Sequence, residues 1–173
     1  MIEIEKRYLA KYLPADLEKY SSYYLEDVYL SFDAATWFLR LRRQDDRYMI
    51  TKKSLINPMD YSSMHEHTID LSPSEYALLS WVEGRRLSKR RYNYTLEGIV
   101  YEIAIFDGDL TWFVLIDVEF DNHETFATFE KPDFCGADVT NELWVIGHML
   151  AGKKYADISA ELDRFGYEAI VLA

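Results

Sequence analysis

Like charges recur at a spacing of two residues in this chain. Glu3 with Glu5 and Asp117 with Glu119 are acidic pairs, and Arg40 with Arg42 and Lys89 with Arg91 are basic ones. Side chains two apart in a strand share one face, so each pair would crowd two like charges together. Arg7 continues the face of Glu3 and Glu5, Lys53 ends a strand of its own, and Glu102 lies in another. One reading makes each pair the wet face of an antiparallel strand whose other face is core. The other lets the charged faces converge on one enclosed space, where acidic strands hold cations and basic strands hold an anion. Carboxylates suit hard divalent cations, while Arg and Lys suit phosphate oxygens, so such a space would take metal ions and a polyphosphate.

The elements that must position these charges are mostly strands. Alternation and β-branched or aromatic content predict them over 1–9, 22–32, 35–43, 47–53, 65–71, 86–94, 100–106 and 110–120. Gln44-Asp45-Asp46 and Asp107-Gly108 read as hairpin turns. Pro14–Tyr20 reads as a helical turn, and Ser72-Pro73 caps a helix running to about Val82. Helical patterns cover 123–129, 141–151 and 158–165, and 167–173 is a strand or a tail. Strands arriving in sequence order without βαβ alternation predict a mainly β (α+β) single domain over 1–173, an up-and-down barrel or a sandwich. The run Trp112–Ile116 reads as wall packed under helices, and Leu143–Leu150 as a helix that either plugs one mouth or simply packs.

Composition narrows the function. The 173 residues carry a formal net charge of −11, with 49% apolar and 16% aromatic residues. That is a globular chain and a poor sequence-independent nucleic-acid binder. One cysteine, Cys135, excludes an internal disulfide and fits a reducing cytoplasm. His65 and His67 share a strand face, and a surface pair is the plainer reading. No signal region and no long apolar span is present, so neither export nor a membrane partner is expected.

The same residues carry a family resemblance. Met1–Leu9 (MIEIEKRYL) resembles the Glu-x-Glu-x-Lys opening of the CYTH superfamily, the triphosphate tunnel metalloenzymes, with Arg7 for the Lys. The likeness continues in order through Asp27–Leu30, where Gln is usual at Asp27, then Arg40-x-Arg42, Thr51-x-Lys53, Lys89-x-Arg91-Tyr92, Tyr101–Gly108, Asp117-x-Glu119 and Val139-Thr140. Met64, Thr68, Ala104, Trp144 and Gly147 depart from charged or polar family positions.

The resemblance implies a closed eight-stranded antiparallel β-barrel with a few flanking helices and a metal-dependent phosphohydrolase using Mg²⁺ or Mn²⁺. It implies Glu3, Glu5, Asp117 and Glu119 as metal ligands, and Arg7, Arg40, Arg42, Lys53, Lys89 and Arg91 as triphosphate-binding residues. Glu66 and Glu102 would orient water. The substrate would be inorganic triphosphate or a nucleoside or organic triphosphate, and a homodimer is possible by the same likeness. An adenylyl cyclase of the same fold, a non-catalytic polyphosphate binder and a ligand-free structural module are the alternatives.

Overall fold

The computed structural model describes residues 2–30, 37–57 and 60–171. Its strands are β1 (Ile2–Ala10), β2 (Ser22–Tyr29), β3 (Trp37–Gln44), β4 (Arg47–Asn57), β5 (Asp60–Leu71), β6 (Arg85–Leu96), β7 (Ile99–Phe106), β8 (Val114–Glu119) and β9 (Cys135–Asp138). Pairing is antiparallel throughout, in the order β5-β4-β3-β2-β6-β7-β8-β1. β5 then returns to β1, with Ile2 opposite His65 and Ile4 opposite Ser63, and this contact closes the barrel. β9 lies beside the second half of β1 as a ninth strand. Eight strands enclose a space just wide enough for side chains or one small ligand.

Local chemistry explains the connections. β6 and β7 meet at Glu97-Gly98, both in the left-handed region at φ 52° and 79°, as a two-residue turn between right-twisted strands requires. Helix α1 (Pro73–Leu79) starts from a capping box in which Ser72 and Glu75 satisfy each other's backbone N–H groups. The other helices are α2 (His123–Thr128), α3 (Gly147–Leu150) and α4 (Tyr155–Arg164).

Several sequence expectations are corrected. Asp107-Gly108 does not make a two-residue hairpin. A 3₁₀ turn follows it, and β8 begins only at Val114, so the expected strand over 110–120 is shorter by four residues at its start. β4 and β5 are much longer than expected, and α1 ends at Leu79 rather than Val82. The helix expected over 141–151 is broken: a 3₁₀ turn at Leu143–Val145 and α3 are separated by Ile146, which is extended at ψ 136°. β9 was not expected at all, because Cys-Gly-Ala-Asp has no strand-like alternation. Expected strand ends at 31–32 and 35–36, and the end of the 167–173 segment, fall outside the described residues.

A barrel lined by charge must build its apolar cores elsewhere. One lies on the outer face of β1, β7 and β8, where Tyr8, Ile103, Ile116 and Val118 pack with Phe134 and Leu17. The other fills the barrel base, where Leu9, Phe106, Phe113 and Leu115 meet Val145, Ile146, Leu150 and Leu162 of the C-terminal segments. The broken helix thus plugs one end of the barrel. Its fit depends on Gly147, since a Cβ there would fall inside the contact distance of Tyr29 Oη and only 3.0 Å from Tyr29 Cζ. Gly147→Ala is therefore expected to cost about 1–3 kcal/mol in chemical denaturation, the range of an overpacked core. Adding Tyr29→Phe, which removes the obstructing oxygen, should return part of the loss.

Candidate active site

The inner barrel face is set by register. Glu5 stands opposite Glu119, Arg7 opposite Asp117, Asp27 opposite Arg42, Tyr29 opposite Arg40, Lys53 opposite Glu66 and Glu102 opposite Asp117. A period of two on strands with continuous pairing sends all of these side chains to the same side of the wall. The charged faces converge, and the reading of each pair as a wet outer face is set aside.

The interior charges pair with one another. Arg7 joins Glu5 and, through Nε at 3.1 Å, Asp117. Asp117 also accepts from Arg91 Nη2 at 3.1 Å, and Arg91 holds Glu102 as well. Lys53 bridges Glu3 and Glu66, the latter at 2.9 Å. Asp27 accepts a bidentate pair from Arg42, Nε at 2.6 Å and Nη2 at 2.7 Å, and lies 3.9 Å from Arg40. Thr51 and Thr68 hydrogen-bond across β4 and β5 at 2.9 Å.

Four groups stand apart. Lys89 is buried with its Nζ 5.1 Å over the Phe106 ring, and among the described residues no carboxylate oxygen comes within 4 Å of it. Burial, reinforced by Arg91, depresses its pKa to about 7. Arg40 Nε and Arg91 Nε are buried without a hydrogen-bond partner among the described residues. Glu119 has no ion pair among the described residues, and burial followed by the charges of Glu102 and Glu3 raises its pKa. Glu66 is the opposite case: burial pushes it up, yet Lys53 and hydrogen bonds from its neighbours hold it at about 2.

These groups surround a cavity of about 60 Å³, lined by Glu5, Arg7, Arg40, Lys53, Lys89, Arg91 and Asp117 and floored by Val145, Ile146 and Gly147. Space for one water is roughly 10–15 Å³ on this measure, so the cavity as it stands takes a few waters. At the acidic end Glu102 and Glu119 also line a larger cavity of about 590 Å³ bounded by Ile99, Phe120 and Phe129.

The chain can now be set beside known proteins. It is 32% identical to an inorganic triphosphatase of Nitrosomonas europaea over 145 residues, 82% of this chain and 91% of that one. A solved inorganic triphosphatase structure superposes with a TM-score of 0.65 at 29% identity, covering 87% of this chain and 95% of the other. A Pyrococcus horikoshii protein shares the fold at a TM-score of 0.52 and 16% identity, covering 96% and 91%. No family model matches the chain. The chain belongs to the CYTH superfamily of triphosphate tunnel metalloenzymes.

Tunnel enzymes of this superfamily are in general metal-dependent. In this CYTH chain the four acids assigned to the metal, Glu3, Glu5, Asp117 and Glu119, all face the interior, but three of them are turned onto Arg or Lys. As placed, no group of three or more His, Cys, Asp or Glu among the described residues converges on one point. The donor set nevertheless fits a hard cation, because all four are oxygen ligands at one end of the tunnel and Glu119 is in no ion pair among the described residues.

His65 and His67 lie on the exposed outer face, and Cys135 is buried with its thiol pushed up to about 12 by burial. Trp144 packs near Phe113 and Phe165, and Ala104 faces Arg91 across the sheet.

Two contributors escaped sequence reasoning. Asp27 looked like a single substitution in an aromatic strand, yet it anchors the basic wall; the available signal was a lone acid between Leu25 and Tyr29 on one face. His148 of the plug stacks on Phe38 at 5.0 Å, with burial and then Arg85 lowering its pKa to about 4.

The buried charge on Lys89 has a cost that can be measured. Its folded pKa lies below the unfolded value, so the unfolded chain binds more protons between about pH 7 and 10.5, and Lys89 destabilises the fold most at and below neutral pH. Lys89→Met should raise the melting temperature at pH 7 in metal-free, phosphate-free buffer. Across that window the advantage should shrink as pH rises. An equal gain at pH 7 and pH 10 would assign the effect to packing.

Proposed function

We propose that this chain is a metal-dependent triphosphatase that hydrolyses inorganic tripolyphosphate, or the triphosphate of a small organic molecule, inside the barrel. The observation that carries this reading is the set of buried cations beside an acidic rim that lack close partners among the described residues: Lys89 with no carboxylate oxygen within 4 Å and Arg40 with an Nε that makes no hydrogen bond. A cavity wall of this kind is ready for an anion. The relative from Nitrosomonas europaea, named an inorganic triphosphatase, supports the same substrate class.

Arg7, Arg40, Lys53, Lys89 and Arg91 would hold the phosphate oxygens, and Glu3, Glu5, Asp117 and Glu119 would hold Mg²⁺ or Mn²⁺. When bound, such a cation supplies Lewis-acid charge neutralisation to phosphate oxygens and acidity to water. The protein's own step is an exchange of partners. Arg7, Arg91 and Lys53 would turn from carboxylates to phosphate, and the carboxylates so released would be free to hold the cation, so each of these protein charges keeps an opposite partner. A water oxygen then forms a bond to the terminal phosphorus as the bridging P–O bond breaks, its electron pair leaving on pyrophosphate. Preorganised cations facing the transferred group are the main source of rate in such a reaction. Glu66, at about 2, is a weak base, and its place is to hold Lys53. Glu102, at the acidic end, is the better-placed group to orient the water. The buried lone thiol of Cys135 is compatible with a cytoplasmic setting.

The test is an assay of tripolyphosphate and of ATP with Mg²⁺ or Mn²⁺, reading orthophosphate, pyrophosphate and cyclic AMP. One orthophosphate and one pyrophosphate per tripolyphosphate are expected, with activity abolished by EDTA. Glu119→Gln should lower kcat by roughly 10²-fold, of the order of one lost electrostatic contact, and Arg40→Ala should chiefly raise KM. Cyclic AMP from ATP would favour a cyclase instead. Stabilisation by tripolyphosphate without turnover would leave a binder.

A further inference from the structure

Among the described residues, Asp27 is the one carboxylate set in the basic wall, away from the acidic end. Its charge is only 2% exposed, and it takes two hydrogen bonds from Arg42, at 2.6 and 2.7 Å, while lying 3.9 Å from Arg40 Nε. Burial pushes its pKa up, but Arg42 and Arg40, with Lys89 beyond them, hold it far below the usual carboxylate range, so it is charged at every working pH. Neither Asp27 nor Arg42 lines the central cavity, whereas Arg40 and Lys89 do. Arg42 spends its Nε–Nη2 edge on Asp27, the edge a bidentate phosphate contact would use. A fixed negative charge thus sits directly behind the cations that face the ligand.

We propose that Asp27 is a built-in counter-anion that sets the affinity of the tunnel for polyphosphate: it keeps Arg42 out of the ligand shell and weakens the pull of Arg40 and Lys89 on the anion. This rests on the proposed triphosphate site and makes Asp27 a positioning residue, acting through the two arginines and Lys89. The physical consequence is a trade. The carboxylate stabilises the empty barrel by neutralising cations largely removed from bulk water, and it limits how tightly the highly charged substrate and its pyrophosphate product are held. Removing a charge a few ångström behind a binding wall of low dielectric changes anion affinity by about tenfold or more.

The experiment compares wild type with Asp27→Asn, whose amide oxygen still accepts from Arg42. Tripolyphosphate and pyrophosphate binding is measured by calorimetry in EDTA, alongside KM and kcat with Mg²⁺. At least about tenfold tighter binding of both ligands in Asp27→Asn, with a steeper loss of affinity as salt rises, is expected. KM should fall, and kcat should fall with it where pyrophosphate release limits turnover. The double variant Asp27→Asn/Arg42→Gln restores the charge balance and should return affinity close to wild type. Unchanged or weaker binding in folded Asp27→Asn would overturn the proposal, as would a double variant much weaker than wild type, which would make Arg42 a direct ligand. Should Asp27→Asn melt below the assay temperature when empty, the proposal requires tripolyphosphate to raise its melting temperature by more than it raises that of wild type, and an equal or smaller shift counts against it. If wild-type protein neither binds nor hydrolyses tripolyphosphate, the triphosphate site itself fails. If wild type does both and Asp27→Asn behaves identically, only the role of Asp27 fails.

Discussion

Arg7 lies between Glu5 and Asp117, and Asp117 lies between Arg7 and Arg91. That chain of shared ion pairs is the constraint on which the rest of the architecture turns. Charges removed from water are costly unless each finds an opposite partner with good geometry, and the cavity in this barrel has room for only a few waters. Nearly every acid on the inner face therefore holds a base on a neighbouring strand or across the interior. The pairs follow from register: a slip of one residue in any strand would turn its whole charged set outward and leave its partners buried alone.

The same constraint moves the hydrophobic driving force away from the barrel axis. Ordinary small barrels bury apolar side chains inside; here Tyr8, Ile103, Ile116 and Val118 carry that role on the outer face, beneath the segments around Phe129 and Phe134. The base of the barrel is sealed by Val145, Ile146 and Leu150 against Phe113 and Leu115. The C-terminal segments thus serve stability and site at once, since they supply both an apolar core and the floor of the charged cavity. Lys6 shows how the outer face accommodates its one basic residue on β1, with its ammonium 4.7 Å over the Phe126 ring.

Self-neutralisation also shapes how such a site works. A pocket of unpaired cations would bind triphosphate strongly but would be unstable when empty, and a fully paired one would be stable and inert. This interior stands between the two. Most pairs are complete, while among the described residues Lys89 and Glu119 are in no ion pair and Arg40 Nε makes no hydrogen bond, which marks where anion and cation would enter. On the proposed exchange of ion-pair partners, the wall's own charges pass from one partner to another and are not left bare when substrate arrives.

Much of this was legible in the chain alone. The spacing-two charges, the strand order and the family-like motifs gave the closed antiparallel barrel, the shared strand faces of Glu3 with Glu5, Arg40 with Arg42, Lys89 with Arg91 and Asp117 with Glu119, and the superfamily. These are local facts: a period of two and a residue type decide which face a side chain joins. The breaks in that legibility are equally physical. The 141–151 pattern reads as one helix, but tertiary packing of Val145 and Ile146 into the barrel base wins over helical propensity and splits it at Ile146. β9 carries no pattern because its pairing along β1 is decided by the partner strand. Above all, the sequence determined which residues share a strand face, whereas only the tertiary structure decided that these faces turn inward and which charge meets which. Pairing such as Asp27 with Arg42, or Asp117 shared by Arg7 and Arg91, depends on strand order, tilt and register across the closed sheet, and no spacing within one strand encodes it.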